Sequence, residues 1–356
     1  MKKRLILCLT FAVATLAPEF ASVNNHASNS KDKGWLISNT IPYPDQASRM
    51  VQDAIKMAGQ PDVAAMKKLS FSSDQAMNDW ARKKDAENGK KNKELANKLG
   101  ITFKEEEIAG VTVRYVRPPK VAPKNKNRLF IHAHGGAYVL NGGWASVAEA
   151  IQLAHYLKIT VVSIDYRLPP AHPFPAALDD VLLVYKELIK THDPKTMAMG
   201  GTSAGGGLSM AAIQKFNKEG LELPGAYFGG TPWTDLSKTG DSYFINEGID
   251  RILITYEGLI EAGAKSYAGG KDLKTPLISP VYGDFSGFPP TYLVTGTRDL
   301  FLSDTTRAHR KLKIAGVVTD LNVYEGISHG EFLLFGSPEN IQTFLELGDF
   351  LDRHLK

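Results

Sequence analysis

The nine residues 199–207, Met-Gly-Gly-Thr-Ser-Ala-Gly-Gly-Gly, constrain the fold of this chain more than any other stretch. They carry a G-x-S-x-G match at Gly201-Thr202-Ser203-Ala204-Gly205. The apolar run 197–201 reads as a short buried strand, and 208–213 reads as the body of a helix. A serine held on such a strand-to-helix turn is presented at the edge of a sheet. The turn is sharp and strained, so only very small neighbours fit beside it. Glycines two residues before and two after Ser203, with Ala204 between, meet that demand. The same residues could serve only as a glycine-rich connection, so the rest of the chain must decide whether Ser203 is a nucleophile.

Around this stretch, strand and helix patterns alternate. Residues 111–116 alternate as a strand, and 128–133 form another that runs into His134-Gly135-Gly136. A helix at 146–157, an apolar strand at 159–164 and a helix at 176–190 lead to the strand that enters Ser203. Residues 227–230 continue the sheet. The pattern resumes with strands at 291–295 and 318–324 and helices at 303–314 and 338–354. Such alternation predicts an α/β fold, a mostly parallel sheet with helices on both faces. Between them, 233–275 is helical and Gly-punctuated, and is expected to be an insertion above the sheet. Upstream, 46–58 predicts a helix capped by Asp45 and stopped by Gly59. Two more are expected at 73–84 and 90–99, the second closed by Gly100. The mixed Lys and Glu content of 82–104 reads as the solvated face of helices. The expected division is therefore a leader at 1–21, a polar linker with cap helices at 22–100, and a catalytic domain at 101–356. The N-terminal helices and the 233–275 insertion are expected to form a lid over the sheet.

Lys2, Lys3 and Arg4 precede an apolar run, 5–17, that is too short for the ~20 residues of a membrane span but suits a secretory signal peptide. A polar stretch follows at 23–33, and cleavage near Ala21 is expected because Pro18 disfavours Ala17. The expected location is secreted or periplasmic. The one cysteine, Cys8, lies in the leader, leaving no disulfide framework and no thiol nucleophile downstream. A net charge of +4 over 356 residues offers no concentrated basic face, so nucleic acid is not an expected partner.

A serine hydroxyl needs an adjacent base, itself oriented by a third group. Sheet enzymes with this elbow supply them in the order Ser, acid, His. Three histidines follow Ser203. His354 lies at the C-terminal end and His309 sits among Arg307, Arg310 and Lys311 on a polar helix face. His329, in the Gly-flanked loop after the 318–324 strand, is placed where a base would be presented. Asp299 follows the 291–295 strand and is the stronger acid candidate. Asp304 is the weaker one, since an acid in the first turn of a helix also has a plain capping role. The backbone N–H of Ala204 and those of His134-Gly135-Gly136-Ala137 are candidates for an oxyanion hole, where each donor is worth roughly 3–4 kcal/mol. His132 and His134 could begin a metal site, but further ligands at metal spacing are missing, so neither metal nor cofactor is expected. Residues 200–207 lack the Lys-Ser or Lys-Thr of a phosphate loop.

With these residues in place, the chain from about 101 onward resembles the hormone-sensitive-lipase-like bacterial esterases of the α/β-hydrolase superfamily. The resemblance is carried by His134-Gly135-Gly136-Ala137, Asp165-Tyr166-Arg167-Leu168, His172-Pro173-Phe174-Pro175, Gly201-Thr202-Ser203-Ala204-Gly205, Pro232-Trp233-Thr234-Asp235, Gly287-Phe288-Pro289-Pro290, Asp299 and Ser328-His329-Gly330. It implies an α/β-hydrolase fold with a helical cap, a Ser203–Asp299–His329 triad, and an oxyanion hole of Gly135, Gly136 and Ala204. The implied substrates are short to medium acyl esters. The Gly-Thr-Ser-Ala-Gly form is similar to a subgroup containing monoterpene lactone hydrolases, so a lactone hydrolase or acetyl-esterase is the alternative. A serine peptidase, an acyltransferase and a non-catalytic ligand-binding module are further alternatives. The chain departs from the family pattern at three points: Ala137 replaces a third glycine, Ala171 replaces a glutamate, and Glu331 stands where an aromatic is common. The implied partner is a small ester or lactone, with no stable membrane span.

Overall fold

The computed structural model describes residues 40–69, 71 and 73–356. The expected leader and most of the polar linker lie outside these residues. Eight strands form one sheet: β1 (Thr102–Ile108), β2 (Val111–Arg117), β3 (Leu129–Ala133), β4 (Thr160–Ile164), β5 (Met197–Thr202), β6 (Ala226–Gly230), β7 (Thr291–Gly296) and β8 (Thr319–Tyr324). Their order is β1-β2-β4-β3-β5-β6-β7-β8. From β4 to β8 every pairing is parallel, whereas β2 runs antiparallel to both neighbours. The strand that carries Ser203 is thus central, with β6 on one side and β3 on the other.

Alternate side chains of the central strands feed two cores. Leu129, Ile131, Met197, Met199 and Leu293 enter one, while Phe130, Ala198, Tyr292 and Val294 enter the other. The first is closed by α5 (Ala176–Leu188), α6 (Ala204–Lys218) and α9 (Leu302–Ile314), the second by α4 (Ala148–Leu157) and α10 (Pro338–His354). This is the double-faced burial that near-continuous apolar strands require.

Three sequence expectations change. β1 was not expected, because the mixed charge up to Lys104 reads as helix surface and no element is assigned to 105–108. It is an edge strand, where charge protects against further pairing, and Glu105 pairs with Arg114 at 2.8 Å across the ladder. The helices expected at 73–84 and 90–99 are one helix, α3 (Asp74–Leu99), capped by Ser73 and closed by left-handed Gly100. Gly89 does not break it. The cap of α1 (Arg49–Ala58) is Ser48 and not Asp45, its hydroxyl accepting from Val51 N at 3.4 Å. Between α1 and α3 lies the short α2 (Val63–Lys67).

The segment after β6 holds two helices, α7 (Ser242–Ile245) and α8 (Leu259–Ala268), joined by hydrogen-bonded turns. It meets the N-terminal helices directly. Lys67 of α2 pairs with Glu247 at 2.9 Å, and Gly258, at the start of α8, sits so close to Met66 O that a Cβ would lie 2.4 Å from it. Among the described residues no helix is long and apolar enough to cross a membrane.

Candidate active site

Ser203 sits between the last residue of β5 and the first of α6, with φ 62° and ψ −127°. A non-glycine residue in such a conformation costs about 1–3 kcal/mol and persists only where its surroundings hold it. Ser203 N donates to Gly230 O at 2.8 Å, and Trp233 N donates to Ser203 O at 2.9 Å. Beneath it, Thr202 is tied to the buried Glu149 through its N–H (3.0 Å) and its hydroxyl (2.6 Å). The glycines are steric necessities: a Cβ on Gly201 or Gly205 would lie 2.0 Å from Ala133 O. These contacts, made with the ends of β3 and β6, with Trp233 and with Glu149 of α4, keep the strained turn in place.

Asp299 follows β7 and His329 follows β8, so adjacent parallel strands deliver both to the same sheet edge. His329 Nδ1 lies 3.0 Å from Asp299 Oδ1. The carboxylate also accepts from Thr295 Oγ1 (2.7 Å) and Phe301 N (2.8 Å), which fixes its plane. Asp304 does not reach the histidine. Its Oδ2 accepts from Thr234 N (3.0 Å), Asp235 N (2.8 Å) and the Tyr243 hydroxyl (3.1 Å), and burial pushes its carboxyl well above the usual range. Of the two acids weighed from the sequence, only Asp299 meets His329. Ser203 is 9% exposed and His329 5%, and no hydrogen bond joins them among the described residues. Such contacts often tighten only when substrate binds.

Gly135 and Gly136 lie against this elbow. A Cβ on Gly135 would stand 2.8 Å from Thr202 O and 3.3 Å from Ser203 Cβ. Gly136 takes φ +114°, and its carbonyl accepts from Val139 N and Leu140 N to close a tight turn. The N–H groups of Gly135, Gly136 and Ala204 find no protein acceptor among the described residues. Ala204 also opens α6, whose first N–H groups and positive dipole end favour negative charge. Ala137, where a third glycine is usual, takes the left-handed region itself (φ 51°) and packs its carbonyl against Gly263 of α8.

A model of the family described as the alpha/beta hydrolase fold matches residues 130–333. The chain belongs to the α/β-hydrolase family. Its place is in the hormone-sensitive-lipase-like bacterial branch. The crystal structure of an esterase called E25 superposes with a TM-score of 0.88 at 46% identity, covering 91% of this chain and 99% of that one. An esterase from the bacterial hormone-sensitive lipase family superposes with a TM-score of 0.73 at 27% identity, over 87% and 99%. A Mycobacterium tuberculosis protein named as an acetyl-hydrolase is 32% identical over 72% of this chain and 82% of its own length.

Several residues of this hydrolase support the site, and of these Asp85 and Glu149 carried no sequence signal. Asp85, inside the charged α3, accepts from Asn141 N (2.7 Å) and Gly142 N (3.0 Å) and so ties α3 to the turn bearing Gly135 and Gly136. Asp165 accepts from Gly143 N at 2.9 Å, and the Tyr166 hydroxyl donates to His134 O at 2.6 Å. His134 stacks on the Tyr166 ring with centroids 4.1 Å apart and donates from Nδ1 to Gly135 O at 2.8 Å. Burial brings its pKa down to about 4, so it is neutral at neutral pH. His132 lies between Ser163 Oγ (3.1 Å) and Glu149 Oε2 (3.0 Å), so both its nitrogens have protein partners. Helix periodicity could have placed Asp85 and Glu149 on a face, but nothing local told what they would meet.

Two grooves border the cap. One of about 830 Å³ lies between α3 and the chain that follows the turn at Gly136, and includes Asp85, Trp144, Leu168 and Ala171. The other, about 710 Å³, lies between α2 and α8 and includes Lys67, Phe71 and Lys265. Neither is lined by Ser203, Asp299 or His329.

Proposed function

We propose that this hydrolase cleaves carboxylic esters of short to medium acyl chain through Ser203, His329 and Asp299. The observation that carries the reading is the 3.0 Å His329–Asp299 hydrogen bond at the sheet edge that also presents the strained Ser203. With Nδ1 donating to Asp299, Nε2 of His329 is the nitrogen free to accept the Ser203 hydroxyl proton. Ser203 Oγ attacks the ester carbonyl. The negative charge that develops on the carbonyl oxygen is received by the amides of Gly135, Gly136 and Ala204. The alcohol leaves with the proton from His329, giving an acyl-enzyme. Water, deprotonated by the same histidine, releases the acid. The relatives' names, esterase and acetyl-hydrolase, support an ester over a peptide.

Purified Ser203→Ala assayed beside wild type on p-nitrophenyl acetate and butyrate tests this. Loss of at least about 10³-fold in kcat is expected, in line with removal of a triad nucleophile. A variant that keeps a substantial share of wild-type turnover would show that Ser203 is not the nucleophile.

We also propose that the protein is exported, on the strength of Lys2, Lys3, Arg4 and the short apolar run behind them. Amino-terminal sequencing of the protein from a secreting host should begin just after Ala21. A chain that retains residues 1–21 in the cytoplasm would refute export.

A further inference from the structure

Asp299 and His329 come from loops after different strands. Besides the Asp299–His329 bond and the Phe301 ring set edge-on to His329 at 4.7 Å, the loops are joined at their starts: Arg298 N donates to Ile327 O at 3.1 Å and Gly326 N to Thr297 Oγ1 at 2.9 Å. Beyond these points, part of the insertion lies across both. Asn246 Nδ2 donates to Thr297 O (3.2 Å) and to Asp299 O (2.8 Å). Asp250, fully buried, accepts Leu300 N at 2.9 Å on one oxygen and Ile252 N (2.9 Å) and Leu253 N (3.1 Å) on the other. Arg251 N donates to Ser328 Oγ at 3.3 Å, and its guanidinium pairs with Glu331 (Nε to Oε1 2.6 Å). Glu331 in turn accepts Ser328 N at 2.8 Å. One short turn therefore holds the residues on either side of the acid and on either side of the base.

We propose that residues 246–251 are a clamp that sets the Asp299–His329 geometry. Asn246 and Asp250 fix the acid loop, and Arg251, through Glu331, fixes the histidine loop. All four are positioning residues, since each acts through the loops that carry Asp299 and His329. The inference rests on the triad reading above. It also accounts for Glu331, the departure from the family pattern that the reaction itself does not use. Asp250 supports the idea by its cost. Burial, then the charge of Asp299, push its carboxyl up to about 6, with His329 pulling it back. A second buried carboxylate beside the first is tolerated because three backbone N–H groups hold it. An aliphatic residue would pack there without that cost but could not grip Leu300 N.

The test uses the whole protein and three variants, Asn246→Ala, Asp250→Asn and Arg251→Met, with folding checked by circular dichroism. Each should lower kcat about tenfold to a hundredfold, the scale of a 1 Å misplacement of reacting groups, and leave KM within about threefold. The far-downfield proton NMR signal of the His329 Nδ1–H···Asp299 hydrogen bond should weaken or vanish. Arg251→Lys, which keeps a cation beside Glu331, should recover most of the Arg251→Met loss. If the charged-site variants fail to fold, Asn246→Ala, which removes no charge, decides alone. The proposal is overturned if folded variants keep kcat within twofold with the signal intact, or if only KM moves. Asp299→Asn separates the two failures: if it retains activity the triad reading falls, and if it alone loses activity only the clamp falls.

Discussion

Asp299 and Asp304 are both buried carboxylates on the same stretch of chain, and their neighbours assign them different work. Asp299 faces the imidazole of His329, and in the proposed triad its charge stabilises the protonated ring. Asp304 faces the N–H groups of Thr234 and Asp235 and the Tyr243 hydroxyl, and holds the chain leaving β6 against α9. Exchanging a carboxylate for an amide at Asp299 leaves the shape intact but presents the wrong tautomer to Ser203. Asp299→Asn should therefore keep its unfolding midpoint and lose kcat by about 10³–10⁴-fold. Asp304→Ala should do the opposite. It orphans two buried N–H groups, at a cost of about 1–3 kcal/mol each at most, and leaves kcat within a few-fold. Urea unfolding and steady-state assays on both variants check this. Equal losses of kcat would mean that Asp304 serves the base as well.

The elements show which parts of this arrangement are local enough to be read from sequence. The central strands were legible because burial on both faces demands unbroken apolar runs, and β3, β5 and β7 lie where those runs do. α10 begins at the Ser-Pro signal and ends where its apolar spacing ends, so its bounds match the reading. The elbow was legible because its constraint is steric and falls on Gly201 and Gly205 themselves. Asp299 and His329 could be placed because each follows a strand end, a position that fixes which edge of the sheet a residue reaches. β1 was hidden because it has no unbroken apolar run: its pairing with β2, including Glu105 with Arg114, holds it, with only Phe103 and Ile108 packing against the cores. The unity of α3 was hidden because Gly89 looks like a breaker and is in fact a contact with Trp144. Asp85, Glu149, Asn246 and Asp250 stayed unread for another reason. Each acts on backbone groups far away in the chain, and a polar residue in a helix or turn looks the same whether it faces water or a distant N–H.

Across the whole molecule, α3 is the piece that joins the layers to the site. At 26 residues and 1.5 Å per residue it is about 39 Å long. Met77 near its start enters one core and Ala96 near its end enters the other. Between them, Asp85 holds Asn141 and Gly142, Asn92 donates to Trp144 O (3.1 Å) and Ala145 O (3.2 Å), and Gly89 lies on Trp144. The middle of α3 thus lies as a strap on the chain that follows the Gly135-Gly136 turn. Gly89→Ala tests this with two opposed effects. In an ordinary helix interior the change stabilises by about 1 kcal/mol. Here the new methyl would lie 2.9 Å from Trp144 Cβ and 3.3 Å from its carbonyl carbon. Trp144 has little room to retreat, since its ring meets Phe103 edge-on at 5.3 Å and carries Arg114 and Lys93 over its face. Overpacking of this kind costs about 1–3 kcal/mol, so clash outweighs propensity. A net loss of up to about 2 kcal/mol in urea unfolding is expected, with a fall in kcat as the strap lifts and Asp85 loosens its hold on the turn after Gly136. If Gly89→Ala instead raises stability by about 1 kcal/mol and leaves kcat unchanged, α3 lies on this chain without constraining the Gly135-Gly136 turn.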